Sequence, residues 1–459
     1  MGYVLIQGLG LNQGGLGATR YFASKGKDVI VTDLKKENEL ASSLRQLSGF
    51  KNIKYVLGDH RKKDFENADL VIANPGIPPT NEYIQASLKR GIPVYTEVSY
   101  FFANKRCKTV GITGTRGKST TTNLIYHILK KGREDVFLSG NIGISAIELL
   151  DKTNENSIVV IELSSFMLEW MRMIRVSPEY AVVTNIMRDH LNRHKTMEEY
   201  VDVKSTIFRF QGDDGVLVTN LDNLYTKSFK GLAKGKVITY STISKYADYM
   251  VEDDDIFYKG KHLFTLPADL NNEFHPLGGK HNKYNIVAAV ALVRELGIDL
   301  DRIEMALINY KGLYGRQMYM GNIRGRDIVN DTCSTIPDAV IAALDRFNKR
   351  RVVLITGGTD KDLKFGKLAK NVLRSNVCFV VVIDGTASRK LVSEFEKCKF
   401  NRYKVVESLQ QAVEEAFTQS KKGDLILFSP GAASFELFDN EFDRGEKFDT
   451  LIELLKNDK

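Results

Sequence analysis

The segment Val110-Gly111-Ile112-Thr113-Gly114-Thr115-Arg116-Gly117-Lys118-Ser119-Thr120-Thr121-Thr122 narrows the fold more than any other part of the chain. An apolar β-type run ends in a glycine-rich turn, and a helical pattern follows from Asn123 to Lys130. A strand that feeds a helix through such a turn belongs in an α/β layer. The turn aims backbone N–H groups and a helix N-terminus at a phosphate. Lys118 can neutralise the β- and γ-phosphates, and the Ser119 hydroxyl can ligate Mg²⁺. The strict pattern G-x-x-x-x-G-K-[ST] needs a glycine where Ile112 stands, and the additional glycine here is Gly114. The turn is a variant phosphate loop, and the ligand it implies is a nucleoside triphosphate.

The rest of the chain repeats the strand–helix alternation, which predicts doubly wound, mostly parallel sheets. A length of 459 residues predicts roughly three domains. Residues 3–8 read as a strand, followed by glycines 8, 10, 14, 15 and 17, a helix to Lys25, and a second strand ending at Asp33. This is a Rossmann-like start, but Gln13 breaks the dinucleotide fingerprint, so any diphosphate ligand fits as well as NAD. The strand Leu70–Ala73 ends in the rigid loop Asn74-Pro75-Gly76-Ile77-Pro78-Pro79. A boundary is expected near 105. Strands are expected at 157–163, 180–185 and 215–220, a β-rich polar segment at about 236–276, and a helix at 282–296. A third unit begins after Gly312, with strands at 327–330, 351–356, 377–383 and 424–428.

Composition excludes several classes. No run of about 18 apolar residues exists, so no membrane span is expected. The four cysteines (107, 333, 378, 398) form no CxxC, which suits a reducing cytoplasm and argues against a zinc cluster. The net charge of +8 is spread along the chain rather than gathered into an aromatic-interleaved patch, which favours anionic small substrates over nucleic acid.

Further residues carry chemistry. Glu162 ends the buried run Ile158-Val-Val-Ile, where a carboxylate can hold Mg²⁺ beside the phosphate loop. The loop 184–194 crowds His190, His194, Arg188, Arg193 and Asp189 together, and two histidines four apart suit a metal or phosphate. An imidazole ligand points to a site that also accepts Mn²⁺. Lys204 sits on a predicted helix and reads from sequence alone as a solvated lysine. Two more glycine turns, at 357–361 and 429–435, follow strands of the third unit and suit a carboxylate or phosphate, with Lys361 as a counter-ion.

Together these residues resemble the Mur ligases of bacterial cell-wall synthesis over essentially the whole length. The motifs are GITGTRGKSTTT (111–122), GNIG (140–143), ELSSF (162–166), TNIMRDHLNRH (184–194), the Lys204 helix, GGKHNKYN (278–285), Arg316, Asn330-Asp331 and SPGAASFELFDNEFDRG (429–445). The last favours a D-glutamate-adding member. The resemblance implies an α/β chain of three domains: a Rossmann-like UDP-binding domain (1–104), a central P-loop ATPase domain (105–312) and a C-terminal Rossmann-like amino-acid domain (313–459).

It implies UDP-N-acetylmuramoyl-L-alanine, ATP and D-glutamate as substrates. Leu11, Asn12, Asp33, Lys35 and Gly76 would lie near the UDP. Gly114, Thr115, Gly117, Lys118, Ser119 and Thr120 would hold ATP, with Asn282, Asn285, Arg316 and Asp331 completing its site. Ser119, Glu162, His190 and a carbamylated Lys204 would hold Mg²⁺. Asn141 and His190 would approach an acyl phosphate, and Lys361, Ser434, Phe438 and Phe442 would line the glutamate pocket. The chain departs from the family at Cys333, where lysine is usual, and at Gly315, Met167, Asn192 and Glu441. D- versus L-glutamate therefore stays open, as does a folylpolyglutamate-synthase-like ligase. Retention of Lys118, Glu162, His190 and Lys204 argues against a non-catalytic nucleotide-binding scaffold. A cytoplasmic monomer without nucleic-acid or membrane partners is expected.

Overall fold

The computed structural model describes residues 2–10, 13–142, 144–360, 363–434 and 436–457. Leu11, Asn12 and Lys361 lie outside the described residues. The chain divides into two compact units, Met1–Pro267 with Lys280–Asn309, and Ala268–Gly279 with Tyr310–Lys459.

The first unit holds two sheets. One is all parallel, in the order Ile53–Leu57, Val29–Asp33, Val4–Gln7, Leu70–Ala73, Val94–Tyr95. Both of its faces are covered, as parallel sheets require: Val4, Ile6 and Val31 feed one apolar cluster, and Leu5, Val71 and Ala73 the other. The second sheet has nine strands. At one end of it Tyr180–Val183, Lys108–Thr113, Ile158–Glu162 and Val136–Gly140 run parallel in that order, the last at the edge. The polar segment resolves into the strands Lys236–Ser241, Tyr249–Glu252, Asp255–Tyr258 and Lys261–Thr265, the last three pairing antiparallel in turn.

The second unit holds six strands in the order Met318–Ile323, Arg326–Asn330, Leu425–Phe428, Val352–Gly357, Val377–Ile383, Tyr403–Val406. All but the first pair run parallel. The expected α/β class with mostly parallel sheets is therefore observed. Five strands, Ile53–Leu57, Val94–Tyr95, Val136–Gly140, Met318–Ile323 and Tyr403–Val406, have no forecast in the residue pattern. All five are sheet edges: Ile53–Leu57 leaves Lys54 and Tyr55 exposed, and Val136–Gly140 ends in Ser-Gly, so neither of these reads as a continuous apolar run. Among the described residues no helix is long and apolar enough to cross a membrane.

Candidate active site

Strand register assembles the site. Ile112 pairs with Glu162, Gly140 pairs with Glu162, and Thr113 pairs with Val183. The phosphate loop, Asn141, Glu162 and the segment after Val183 therefore leave the sheet at one edge, the C-terminal edge where α/β sheets bind ligands. The buried run Val159-Val160-Ile161 anchors this edge, each side chain contributing about 2 kcal/mol.

The loop is shaped by neighbours as much as by its own glycines. Gly114 has φ +151, and a Cβ there would stand 1.9 Å from Thr184 Oγ1. Gly117 caps the helix Lys118–Gly132 in the left-handed region at φ +79, and its Cβ would lie 2.3 Å from Asn285 Oδ1. Alanine fits neither position. Asn185 braces the loop twice, its carbonyl accepting from Thr115 N (2.8 Å) and its Oδ1 from Arg116 N (2.9 Å). Thr184 Oγ1 donates to Arg116 O at 2.7 Å. The helix has no acidic residue in its first turn, so its positive end is left to a ligand. Asn282 and Asn285, on the helix Lys280–Glu295, are buried against this loop. Asn285 Nδ2 donates to Asn282 Oδ1 (2.9 Å), and Thr121 Oγ1 donates to Asn285 Oδ1 (3.2 Å). Ser119 and Thr120 are half-buried on the first turn.

Glu162 is buried at 1 % exposure. Its Oε1 accepts from Asn141 Nδ2 at 3.1 Å, while its Oε2 is buried without a hydrogen-bond partner. A buried carboxylate oxygen left open costs free energy unless a cation or donor meets it, so the donor set fits a hard divalent ion. Among the described residues no three His, Cys, Asp or Glu side chains converge on a metal position. Beyond one such neighbour of Glu162, further ligands would have to come from hydroxyl, phosphate or modified groups.

Lys204 overturns the expectation of a solvated side chain. It is buried at 1 % exposure on the helix Met197–Arg209, its Nζ donating to Thr113 Oγ1 (3.1 Å) and Gly114 O (3.0 Å). Burial, reinforced by the neighbouring Lys118 charge, pushes its amine well below the ordinary lysine range, with Glu162 and Asp189 opposing. His190 takes the left-handed conformation (φ 51) ahead of the short helix Leu191–His194. Its pKa is lowered by burial and, against Asp189, by Lys204, Lys118 and Arg116. His194 is buried against Phe166 and Tyr200, its Nε2 sits 3.0 Å from Ser165 Oγ, and burial pushes its pKa down to about 4.

In the first sheet, Asp33 accepts backbone N–H groups from Gly10 (3.1 Å) and Lys35 (2.9 Å), which fixes the glycine turn; Lys35 itself is exposed. Gly76 N donates to Asn74 Oδ1 at 3.0 Å, and its carbonyl accepts from Arg193 of the second sheet's helices.

In the second unit, the two glycine turns meet: Thr359 and Ala433 exchange backbone hydrogen bonds of 2.9 and 3.1 Å. Ser434 and Phe438 line a cavity there with Gly358, Thr359, Asp384 and Arg444. Phe442 does not line it; it is 49 % exposed and stacks on Tyr314. Asp331 is buried, and burial raises its pKa to about 7 despite bonds from Ser429 Oγ (2.7 Å) and Gln317 N (3.1 Å). Arg316 is exposed. Burial lifts the Cys333 thiol to about 11 and holds it protonated. Sequence reasoning does not single out Arg444. It is 1 % exposed, and among the described residues its guanidinium donates to neutral oxygens: Thr332 Oγ1 and O, Ala432 O and Ala433 O. Tyr200, whose hydroxyl meets Thr115 Oγ1 at 3.2 Å, reads in sequence as an ordinary core aromatic.

Three family models match successive parts of the chain. Residues 3–96 match the MurD-like N-terminal domain of Mur ligases, 112–293 the Mur ligase middle domain, and 315–431 the Mur ligase glutamate ligase domain. A Borreliella burgdorferi (strain ZS7) protein named UDP-N-acetylmuramoylalanine--D-glutamate ligase is 36 % identical, covering 98 % of this chain and 97 % of its own. Relatives of the same name from Roseiflexus sp. (strain RS-1) and Clostridioides difficile (strain 630) are 35 % and 34 % identical, each with 98 % of both chains covered. In fold, the chain is similar to the UDP-N-acetylmuramate-alanine ligase MurC of Thermotoga maritima (TM-score 0.65, 22 % identity, 100 % of both chains). It is also similar to MurF of Acinetobacter baumannii (TM-score 0.62, 16 % identity, 99 % of this chain and 93 % of that one). With sequence relatives of this identity along its full length, and with the phosphate loop, Glu162 and Lys204 in place, the chain belongs to the Mur ligase family.

Proposed function

We propose that this chain is the ATP-dependent ligase that joins D-glutamate to UDP-N-acetylmuramoyl-L-alanine in peptidoglycan precursor synthesis. The observation that carries the proposal is the braced glycine loop Gly114–Lys118 beside buried Glu162 and Lys204, in a chain matched over 98 % of its length by relatives named for that reaction. The domains are taken as 1–104 for the UDP substrate, 105–312 for ATP and 313–459 for the amino acid. The enzyme is taken to act as a monomer in the cytoplasm.

The substrate carboxylate attacks the γ-phosphorus of ATP, ADP leaves, and an acyl phosphate forms. The amine of D-glutamate then attacks the acyl carbon and loses a proton. The tetrahedral intermediate collapses to amide and inorganic phosphate. Lys118 and the N–H groups around Gly117 offset charge on the transferred phosphoryl group, and the fixed geometry supplies positioning. Asn141 and His190 are assigned to the acyl-phosphate end, Asn282, Asn285, Arg316 and Asp331 to the nucleotide, and Asp33, Lys35 and Gly76 to the UDP. Ser434 and Phe438 are assigned to D-glutamate.

Mg²⁺, or Mn²⁺ in its place, bound by Ser119, Glu162, His190 and Lys204 would neutralise phosphate charge. Lys204 suits this role only after modification. Desolvation favours the unprotonated amine, the form that can add to CO₂ and lose a proton, and the resulting carbamate is an anion.

Phosphate release should require ATP, UDP-N-acetylmuramoyl-L-alanine and D-glutamate together. Release with L-glutamate only would favour the alternative amino acid, and release with neither enantiomer would sink the proposal.

A further inference from the structure

The loop Asn74–Pro79 contains three prolines and so lacks three backbone N–H donors. Two of its consecutive carbonyls take donors from the other sheet's helices. Trp170 Nε1 donates to Ile77 O at 3.1 Å, and Arg193 Nη1 donates to Gly76 O at 3.0 Å. Neither donor is a casual surface contact. Trp170 is 1 % exposed and packs among Leu5, Val71 and Ala73 of the first sheet, although it belongs to the helix Ser165–Met173. Arg193 is fixed by Glu169 Oε2, which accepts from its Nε (3.0 Å) and Nη2 (2.8 Å), and its guanidinium lies over Phe166 at 5.3 Å. Phe166 also meets the His190 ring edge-on at 5.1 Å, and His190 is three residues before Arg193. On its other side the loop is seated against the first glycine turn: a Cβ on Gly8 would stand 2.9 Å from Asn74 Cβ.

We infer that Arg193 and Trp170 are positioning residues that tie the Asn74–Pro79 loop to the segment carrying His190, so that a substrate gripped by its uridine diphosphate presents its carboxylate to the phosphoryl site. This rests on the reading of that loop as part of the UDP-substrate site. Binding energy from the remote end of a substrate raises turnover only if the two ends are held in fixed relation. A charge-assisted bond to a backbone carbonyl suits that purpose.

The test compares two substrates in the full enzyme: UDP-N-acetylmuramoyl-L-alanine, and 1-phospho-N-acetylmuramoyl-L-alanine, which lacks the uridylyl group. With the nucleotide substrate, Arg193→Lys should lower kcat/KM about tenfold, with KM for ATP unchanged. With the truncated substrate, variant and wild type should agree within about twofold, because the loop's position no longer matters. Trp170→Phe, which keeps the ring in the apolar cluster and removes the N–H, should show the same split at smaller size and serves if Arg193→Lys fails to fold. Equal losses with both substrates, or no loss with either, would overturn the inference while leaving the ligase reading intact. A wild-type enzyme inactive on both substrates would overturn that reading and the inference with it.

Discussion

Glu97 offers the sharpest quantitative test of the packing between the first two sheets. It is buried at 3 % exposure at the start of the helix Glu97–Asn104, and its Oε2 accepts from Ser145 Oγ (3.1 Å) and Ile147 N (3.3 Å). Burial outweighs these bonds and raises its pKa from 4.5 to about 7. Below pH 4.5 the group is protonated both folded and unfolded, and ionisation costs nothing. Between pH 4.5 and 7 the unfolded chain releases the proton and the folded chain keeps it, so stability falls as pH rises. Above pH 7 the loss levels off at about 3 kcal/mol, because each tenfold difference in proton affinity between the folded and unfolded chain is worth about 1.4 kcal/mol.

Glu97→Gln cannot ionise, so it should remove that loss. At pH 8 the variant should be more stable than wild type by up to about 3 kcal/mol, less whatever its amide loses against a charged acceptor. At pH 4.5 the two should converge. Urea unfolding followed by the fluorescence of Trp170, the only tryptophan, reports on this unit directly. A difference between variant and wild type that does not change from pH 4.5 to 8 would refute the reasoning.

Gly114→Ala forces a Cβ to within 1.9 Å of Thr184 Oγ1 at a φ of +151. It should cost about 3 kcal/mol at the loop and abolish ATP-dependent phosphate release, which single-turnover assays would check. Lys204→Ala should lower turnover by roughly a hundredfold or more, and added bicarbonate with short-chain carboxylic acids should restore part of it; unchanged turnover would remove the carbamate. Arg444→Met leaves the carbonyls of Thr332, Ala432 and Ala433 without their donor and should destabilise the second unit by about 2–4 kcal/mol, read by thermal unfolding. With its thiol at about 11, Cys333 should alkylate at pH 8 on the order of a hundredfold more slowly than a free cysteine, as measured by mass spectrometry after timed iodoacetamide labelling.

The phosphate loop, the carboxylate at Glu162 and the strand–helix alternation are legible in the sequence because each is written locally. An apolar run, a glycine and a charged residue lie within a dozen positions of one another. What is illegible depends on partners far along the chain. Lys204 reads as solvated because its burial is decided by an acceptor 90 positions away. His194 reads as a ligand because the Ser165, Phe166 and Tyr200 that enclose it belong to two other helices. The bond from Arg193 to Gly76 spans 117 positions and joins two sheets. Arg444 falls inside the motif at 429–445 but is not singled out there, because its acceptors are mostly backbone carbonyls and any residue type supplies those.

The crowding around Gly114 and Gly117 bears on protein engineering. Thr184, Asn185 and Asn285 occupy the space that side chains at those glycines would take, and they supply the contacts that hold the turn open. The twelve-residue stretch is thus one part of a mould whose other walls are cast by a neighbouring strand end and by a helix whose Asn285 lies 164 positions beyond Thr121. Transplanting 111–122 alone onto another strand–helix junction should yield a slack, weakly binding turn. Transferring it with those three residues should carry the affinity across.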